Sequence, residues 1–456
     1  MRYIKFTALI MLLFSAIACK KFLDKKSSTG ITVPSTISDL QALSDNSTNM
    51  NLQRTPSFSE ASTDNYFILP ATFSNRTERM QAAYQWIPYD NYSFPNDWAA
   101  PYVPVYNANY CLENIDNIPL SPENQVEWNN VKGTALFFRS YNFLQLVWVF
   151  SKAYSEASAD VDLGIALRTT SDFNVPSSRA SVKETYQKII SDAMQSLAYL
   201  PERSSHPFRP SKAASYGLLA RVYLSMSQFD SAGKYAGLCL GLKNDLINYN
   251  GDPDLIRSIT GTASPFAFFN KETIFYSEST ANASQLVSPA FALIDTVLYN
   301  SYALNDLRRK AFFTPMSGYQ RFKGFYSIRT LLFTGISTAE MYLTRAECRA
   351  HEGNIQGAMD DLNTVMVKRC EPGFVPYSAS NQEAAINLIL SERRKELVMR
   401  GLRFIDIKRL NAAGSNIVLK RIIDGREIRL EPNDNRYALP LPIEIVNISG
   451  MPQNPY

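Results

Sequence analysis

The sequence predicts a mainly α-helical protein with tetratricopeptide-like helix pairs, long loop-rich insertions and little β structure. Apolar residues recur at helical spacing in several long segments. Ser and Asn residues stand where helices would begin, and one helix-turn-helix pattern occurs twice. Hydrophobic residues make up 45% of the 456 residues and charged residues only 19%, which excludes intrinsic disorder and a long solvated coiled coil.

The N-terminal segment predicts a lipoprotein signal. Two basic residues precede a nearly unbroken apolar run over 6–17, which is shorter than the roughly 20 residues that span a bilayer. Ala18 and Cys19 follow, and a small residue directly before a Cys is similar to a bacterial lipobox. We therefore expect residues 1–18 to be a signal peptide, Cys19 to be acylated, and residues 19–44 to form a lipidated tether, which runs to about Thr36, and an N-terminal segment that leads into the body. The alternative is an ordinary signal peptide followed by a chance Cys.

The remaining residues, 45–456, are expected to form a single composite domain. Helix pairs are predicted over about 100–245 and 337–412, where apolar periodicity is strongest. Residues 45–100 are rich in Asn, Ser, Thr and Pro between aromatics, which indicates loops with short helices. A second loop-rich insertion is predicted over about 246–336 for the same reason.

Helix starts are predicted from capping residues. The predicted N-caps are Ser121, Ser181, Ser211, Ser337 and Asn381. Glu184 and Glu340 stand three residues after two of these serines, which is the spacing of a capping box. Pro122 follows Ser121 at a position that favours proline. The helix after Asn381 is expected to continue to about Leu410.

One helix-turn-helix pattern occurs in two copies that are distant in the sequence. The residues Tyr216, Ala220, Phe229 and Ala232 align with Tyr342, Ala346, Ile355 and Ala358. Small residues at these positions allow two helices to approach closely, as in tetratricopeptide units. A generic Ala-rich helix pair gives a similar pattern. Because the copies are not in tandem, we expect an interrupted solenoid.

Charge and histidine content restrict the possible functions. With 46 basic and 42 acidic residues, the net charge of +4 is not typical of nucleic-acid binding. His206 and His351 are the only histidines, which argues against a histidine metal site and a Ser-His-Asp triad. Asp252 and Asp254 flank Pro253, where a polar turn is favoured over a calcium site. No metal or cofactor is predicted.

The cysteines after Cys19 are few and scattered. They are Cys111, Cys239, Cys348 and Cys370. Four cysteines at such spacings do not suggest a disulfide framework, and Cys within helical patterns commonly packs as a small hydrophobe. We expect mainly free thiols.

Several segments, in order along the chain, are similar to motifs of one family. They are Cys19 with Phe22-Leu23-Asp24, Ala135 to Tyr141, Lys212-Ala213-Ala214 with Leu219 to Leu224, Ala346-Glu347 with Gly353, Ala358 and Leu362-Asn363, Glu392 to Leu397, Gly401 to Leu410, Leu439 to Ile445, and Gln453 to Tyr456. Together they resemble the SusD/RagB family of Bacteroidetes outer-membrane lipoproteins. The chain departs from that pattern in three places: it lacks the Gly before the terminal Tyr, it has Ile448 where Pro is usual, and it has Lys20-Lys21 where acidic residues are common.

The resemblance implies a SusD-like α/α fold and a lipid-anchored protein of the cell outer membrane that faces the exterior. It implies ligand binding rather than bond breaking. The implied partner is a SusC-like TonB-dependent transporter, and the implied ligand is an oligosaccharide. Two alternatives remain open, which are a peptide-capturing homologue and a periplasmic helix-repeat scaffold for a protein partner. Nucleic acid is not an expected partner, and the only expected membrane contact is the lipid.

Exposed aromatics in loops are the candidate ligand contacts. Sugars present apolar C–H faces ringed by hydroxyls, and aromatic rings beside Asn and Asp match both features. The candidates are Trp86, Tyr89, Asn91 and Tyr92 in one loop, with Tyr66 and Tyr319 from two others. Packing is the alternative for these rings. Trp98, Tyr102 and Tyr106 are spaced by four and are expected to pack along the first long helix.

The C-terminal charges are predicted to form a structural salt network rather than a catalytic site. Its members are Glu392, Glu396, Arg400, Arg403, Asp406 and Arg409. Glu396 and Arg400 are i,i+4, and Asp406 and Arg409 are i,i+3, which suits helical ion pairs. Glycoside hydrolysis needs two carboxylates at one cleft, one with a raised pKa, whereas neighbouring Arg and Lys should lower the pKa values of Glu392 and Glu396. No catalytic residue is predicted.

Overall fold

The computed structural model describes residues 34–91, 93–327 and 329–456. The predicted signal peptide, Cys19 and most of the predicted tether lie outside these residues, as does Tyr92. The described part of the chain is mainly helical with short two-stranded sheets, so the predicted fold class is confirmed. Among the described helices, none combines the length and apolar character needed to cross a bilayer.

Five short helices and one short strand precede the first long helix. They are α1 (Ile37–Asp45), α2 (Ser47–Met50), α3 (Phe58–Ala61), β1 (Tyr66–Phe67), α4 (Pro70–Phe73) and α5 (Glu78–Tyr84). Helix α1 follows the predicted tether. It begins with a capping box between Thr36 and Asp39 and buries Leu40 completely in the main core. The N-terminal segment after Thr36 is therefore part of the folded body.

Five long helices follow, with one small sheet between the second and the third. They are α6 (Tyr102–Ile115), α7 (Gln125–Phe150), β2 (Leu163–Ala166), β3 (Arg179–Ser181), α8 (Val182–Tyr199), α9 (Lys212–Ser225) and α10 (Phe229–Leu242). Strands β2 and β3 pair antiparallel. Every residue of α7 from Gly133 to Phe150 is buried, which is typical of a helix at the centre of a bundle.

The residues between α10 and the next long helix form a loop-rich layer. Its elements are β4 (Thr273–Phe275), α11 (Ser284–Val287), β5 (Leu293–Ile294), α12 (Thr296–Ser301), α13 (Arg308–Phe312), β6 (Phe313–Met316), β7 (Tyr319–Phe322) and β8 (Ile336–Ser337). Strands β6 and β7 form a hairpin, β4 pairs with β8, and β5 pairs with β1. This layer and the N-terminal loops share a second hydrophobic core, which includes Phe58, Tyr84, Tyr276 and Phe312.

The C-terminal part adds five helices and a hairpin. They are α14 (Thr338–His351), α15 (Ile355–Arg369), α16 (Gln382–Glu396), α17 (Arg403–Ala412), β9 (Leu419–Ile423), β10 (Arg426–Leu430) and α18 (Ile443–Ser449). The prediction of one continuous helix from Asn381 to about Leu410 is wrong, because the chain turns between α16 and α17. Met399 and Gly401 have φ values of 57° and 71°, and the Gly401 amide donates to Glu60 Oε2 at 2.9 Å.

The long helices pack in sequence as one spine. Helix α6 packs on α7, α7 on α8, α8 on α9, α9 on α10, α10 on α14, and α14 on both α15 and α16. The two copies of the repeated pattern form the pairs α9–α10 and α14–α15. They are distant in the sequence but adjacent in space, because α10 packs directly on α14. The chain therefore leaves the helical stack after α10, forms the loop-rich layer, and returns to the stack at α14.

Four of the five predicted N-caps precede their helices as expected, and three of these four form side-chain caps. The side chains of Ser181, Ser211 and Asn381 each accept a bond from a first-turn amide, and Ser181 forms the full capping box with Glu184. The capping box at Ser337 is wrong, because Glu340 pairs with Arg221 at 2.6 Å instead. Helix α7 begins at Gln125 rather than after Ser121, whose amide donates to the side chain of Asn124.

The four described cysteines are free and buried, as expected. Cys111 lies in α6, Cys239 in α10 and Cys348 in α14, while Cys370 directly follows α15. Each packs as a small apolar side chain in a hydrophobic core.

Candidate functional site

Two of the predicted ligand contacts are buried. Trp86 is 4% exposed, and its indole nitrogen donates to the Ser62 carbonyl at 3.0 Å. Tyr66 is 1% exposed, and its hydroxyl donates to the Ala61 carbonyl at 2.6 Å. The Arg421 guanidinium lies 4.9 Å from the centre of the Tyr66 ring and 5.2 Å from that of Trp86. The expected exposure of Trp86 is wrong because these rings enclose a buried cation.

The other predicted contacts are accessible. Tyr319 is 39% exposed and meets Phe67 edge-on, with ring centres 5.0 Å apart. Asn91 is exposed and Tyr89 is half-buried. Tyr89 borders a cavity of about 20 Å³, which is too small for a sugar ring. Ligand contact by Tyr89, Asn91 and Tyr319 therefore stays a prediction, and Tyr92 lies outside the described residues.

A larger pocket of about 540 Å³ lies between α6, the loop over 166–177 and α18. We call it the aromatic pocket, and the aromatic side chains that line it are Trp98, Tyr102, Tyr106 and Phe173. Trp98 is 3% exposed and packs against Tyr102, with ring centres 5.3 Å apart, as expected. Tyr106 does not join this packing. It is 37% exposed and stacks on Phe173, with ring centres 5.0 Å apart and planes 19° apart.

Polar side chains hold the loop that carries Phe173. Arg168 donates to the Asp172 carbonyl at 2.5 Å and to the Ser177 hydroxyl at 3.3 Å. The Ser171 amide donates to the Glu113 carboxylate at 2.8 Å. Phe173 itself is 79% exposed, so one face of the stacked pair is open to solvent. These hydrogen bonds hold the loop in place, and Phe173 is exposed on it.

The aromatic pocket has the composition of a site for a flat polar ligand. Its wall is aromatic and aliphatic, including Ile448 of α18, and its rim carries Thr170, Asn174 and Ser177. Such pockets orient a ligand through a few polar groups on an apolar surface. The sequence analysis missed this site because three distant segments build it. The one local signal was Phe173, a single aromatic residue within a polar loop.

Five of the six predicted network residues form ion pairs. Arg308 bonds to Glu392 at 2.5 Å and to Glu396 at 3.2 Å, while Arg369 bonds to Glu396 and to Glu272, each at 2.7 Å. The side chains in these four ion pairs are at most 3% exposed; they are Glu272, Arg308, Arg369, Glu392 and Glu396. The network therefore ties the loop-rich layer to α15 and α16 through buried charges.

A second cluster joins α16, α17 and α14. Asp406 pairs with Arg393 and with Arg409, each at 2.9 Å, so the predicted i,i+3 pair is present. Arg409 also pairs with Glu347 at 2.6 Å. Arg403 pairs with Asp64 at 2.9 Å.

Arg400 is the exception among the six. The helical pair that we expected between Glu396 and Arg400 is wrong, because α16 ends at Glu396. The Arg400 guanidinium instead lies 3.5 Å from the centre of the Tyr326 ring.

The two network glutamates lack the electrostatics of a general acid. Burial acts to raise the pKa of Glu392, but the Arg308 and Lys395 charges outweigh it and hold that pKa below its usual value. Burial also acts on Glu396, and Arg369 and Arg308 hold its pKa low in the same way. A glycosidase acid needs a raised pKa. These carboxylates therefore suit a structural role.

The histidines and the Asp252 turn make packing contacts. His351 ends α14 and stacks on Phe229, with ring centres 3.7 Å apart. His206 lies in a loop and meets Phe269 edge-on. Asp252 pairs with Lys271 at 2.7 Å and accepts a bond from the backbone two residues on, as expected of a polar turn. In the part of the chain that the structure describes, no group of three or more His, Cys, Asp or Glu could hold a metal ion.

Comparison with known proteins identifies the family. A family model described as "Starch-binding associating with outer membrane" matches residues 21–224. A second model, described as "SusD family", matches residues 272–456. The chain belongs to the SusD/RagB family. Members are typically outer-membrane lipoproteins with a nutrient-binding role.

Relatives within the SusD/RagB family are distant in sequence. The SusD-like protein P2 of Formosa agariphila is 24% identical over 433 residues, covering 78% of this chain and 79% of that protein. Among solved structures, a SusD superfamily protein from Bacteroides thetaiotaomicron is 19% identical with a TM-score of 0.75, covering 92% of this chain and 100% of that one. A putative sugar binding protein from Bacteroides vulgatus is 21% identical with a TM-score of 0.74, covering 94% and 99%. At these identities the structural likeness shows the fold.

The SusD/RagB motif residues brace the helical spine. Arg139, in the motif of α7, makes a two-pronged bond to Asp192 of α8 at 2.8 and 2.9 Å. Arg221, in the motif of α9, pairs with Glu340. Glu340 lies in the first turn of α14, the helix that follows the loop-rich layer. Both pairs are buried. In the described structure, these motif arginines therefore mark how the helices dock on one another.

Proposed function

We propose that this protein captures glycan oligomers outside the cell and delivers them to a SusC-like TonB-dependent transporter. Family membership supports a nutrient-binding role. A solved relative from Bacteroides vulgatus is a putative sugar binding protein, and another from that species is a SusD-like carbohydrate binding protein. The observation in this chain that carries the proposal is the aromatic pocket, where the exposed Tyr106–Phe173 stack stands beside an amide and hydroxyl rim.

The chemistry of the aromatic pocket suits a sugar. The free face of Phe173 can stack on the C–H face of a pyranose ring, and Asn174 and Ser177 can bond its hydroxyls. A volume of about 540 Å³ lies within the usual range for small-molecule sites. Tyr89, Asn91, Tyr92 and Tyr319 are also proposed as ligand contacts, as the sequence predicts. Trp86 and Tyr66 are buried and are not proposed as ligand contacts.

Anchoring and partnership complete the proposal. Acylated Cys19 holds the body at the outer membrane, facing the exterior, and the transporter supplies the route inward. The protein binds its ligand and performs no catalysis, which the low pKa values of Glu392 and Glu396 support.

Binding measurements on the mature protein test the proposal. Phe173→Ala and Tyr106→Ala should each weaken glycan binding about tenfold, since a stacked ring contributes about 1–3 kcal/mol in the nucleic-acid analogue. Val375→Ala is the matched control, because Val375 is also 79% exposed but lies elsewhere. Tyr319→Ala tests ligand contact by that residue separately. An array on which peptides bind and glycans do not would support the peptide-capturing alternative instead.

The scaffold alternative makes a different structural demand. It requires an apolar groove along the helices for a protein partner. A groove beside α15 has a volume of about 800 Å³, but half of its lining residues are polar, including Asp360, Asn363 and Lys368. This groove therefore lacks the uniformly apolar lining that the scaffold alternative requires.

A further inference from the structure

We propose that the natural ligand is an acidic glycan, and that a basic pocket in the loop-rich layer binds its carboxylate or sulfate groups. This inference rests on the proposed function and names the class of glycan. The basic pocket has a volume of about 430 Å³ and lies between residues 256–268 and 321–330. Its charged lining residues are Arg257, Arg321, Lys323 and Arg329, and no Asp or Glu lines it.

The four cations are not neutralised by close contact with a carboxylate, although the Arg329 charge acts on the carboxyl of Glu278. Within the described residues, none of them forms an ion pair. Arg257 donates to the Ser264 carbonyl at 3.2 Å. This differs from the buried network, where Arg308 and Arg369 each contact two or more carboxylates. Four unpaired positive charges around one cavity attract an anion strongly.

Lys323 places one of these charges deep in the pocket. Its side chain is 4% exposed, and its ammonium donates to the carbonyls of Ile259, at 2.7 Å, and Gly261. Burial lowers the pKa of Lys323 to about 8. A bound anion would act in the opposite direction and raise that pKa. Glu278, which Arg329 also influences, lies outside the lining and is bonded by the Tyr276 hydroxyl at 2.5 Å.

The other lining residues suit the uncharged part of an acidic sugar, which has apolar C–H groups and hydroxyls. Phe266, Phe268, Phe322 and Phe325 give the pocket an apolar floor, in which Phe266, Phe322 and Phe325 are buried members of the second hydrophobic core. The hydroxyls of Ser327 and Thr330 stand beside the cations. Guanidinium groups bond carboxylate and sulfate oxygens in pairs, which gives direction as well as attraction. Cations and hydroxyls above an apolar floor, in a cavity of about 430 Å³, fit an acidic sugar better than a neutral one.

An array of paired glycans tests this inference. Each acidic oligomer is printed beside its neutral counterpart: oligogalacturonides with their carboxyl-reduced forms, and sulfated galactan oligomers with their desulfated forms. Mature wild-type protein should bind at least one acidic member tenfold more tightly than its counterpart, and the two pairs tell carboxylate from sulfate. R321Q/R329Q should lose that preference. R203Q is the control, because Arg203 is exposed in another loop.

The outcomes separate this inference from the proposed function. Equal binding of acidic and neutral members, or an undiminished preference in R321Q/R329Q, overturns the acidic ligand and leaves glycan capture standing. Binding of peptides alone overturns both. Inorganic sulfate gives a readout that does not depend on the array. It should raise the melting temperature of wild-type protein more than chloride at equal ionic strength, and more than it does for R321Q/R329Q. Equal shifts in the two proteins overturn the anion site.

Discussion

Removing the Glu396 carboxylate should destabilise the fold without weakening ligand binding. Glu396 is 3% exposed and accepts bonds from Arg369 at 2.7 and 2.9 Å and from Arg308 at 3.2 Å. Glu396→Ala leaves both buried guanidinium groups short of a partner, which typically costs about 3–5 kcal/mol. With about 2.1 cal/mol/K of unfolding entropy per residue, roughly 440 mature residues give about 0.9 kcal/mol/K. The melting temperature should therefore fall by about 3–6 °C.

Calorimetry on the mature protein measures this change, with Glu427→Ala as the control. Glu427 is 43% exposed and pairs with Arg429 at 2.8 Å, so solvent screens the pair and its loss should change the melting temperature little. The pKa values of Glu392 and Glu396 are lowered in the folded state. Their contribution is therefore present above the unfolded pKa, about 4.3, and is lost as the pH falls through the folded value. The difference between wild type and Glu396→Ala should shrink below about pH 4.

One result would refute this reasoning. If Glu396→Ala leaves the melting temperature unchanged and abolishes ligand binding, then the charged cluster is a binding site that we have taken for a scaffold. If Glu396→Ala loses both stability and ligand binding, a second variant is needed to tell a structural role from a binding role. In that case Arg403→Ala, which breaks the less buried pair with Asp64, should lower stability by a smaller amount and leave binding intact.

Two further predictions concern the membrane and the partner. Cys19→Ala should move the protein from the outer-membrane fraction to the soluble fraction; a variant that stays with membranes in high salt, in cells without the transporter, contradicts lipid anchoring. Wild-type protein purified from native outer membranes in mild detergent should bring down a larger β-barrel transporter, and a clean monomer under those conditions counts against the partnership.

Local rules predicted the helix starts well where no distant residue intervenes. Ser181, Ser211 and Asn381 cap their helices because the bonds run only a few residues along the chain. The capping box at Ser337 failed because Arg221, far away in the sequence, takes the carboxylate of Glu340. The repeated pattern predicted two helix pairs, but only the structure could show that α10 packs on α14.

The ligand surface was harder to predict than the fold, because exposure depends on distant segments. Trp86 is in a loop rich in Pro, Asp and Asn, yet Arg421 packs against its ring and buries it. Tyr106 shares helical spacing with Trp98, yet the loop that carries Phe173 draws it into a different contact. Periodicity identifies one face of a helix but does not identify what covers that face.

The four buried thiols allow the opening of this fold to be followed chemically. Burial raises the pKa of Cys111 to about 11 and that of Cys370 to about 12. The thiolate is the reactive form, so an alkylating reagent at neutral pH can react only when a segment transiently opens. Cys111 reports on α6, and Cys239 and Cys348 report on the junction of α10 with α14. Alkylation rates would therefore rank the local stabilities along the helical stack without any engineered label.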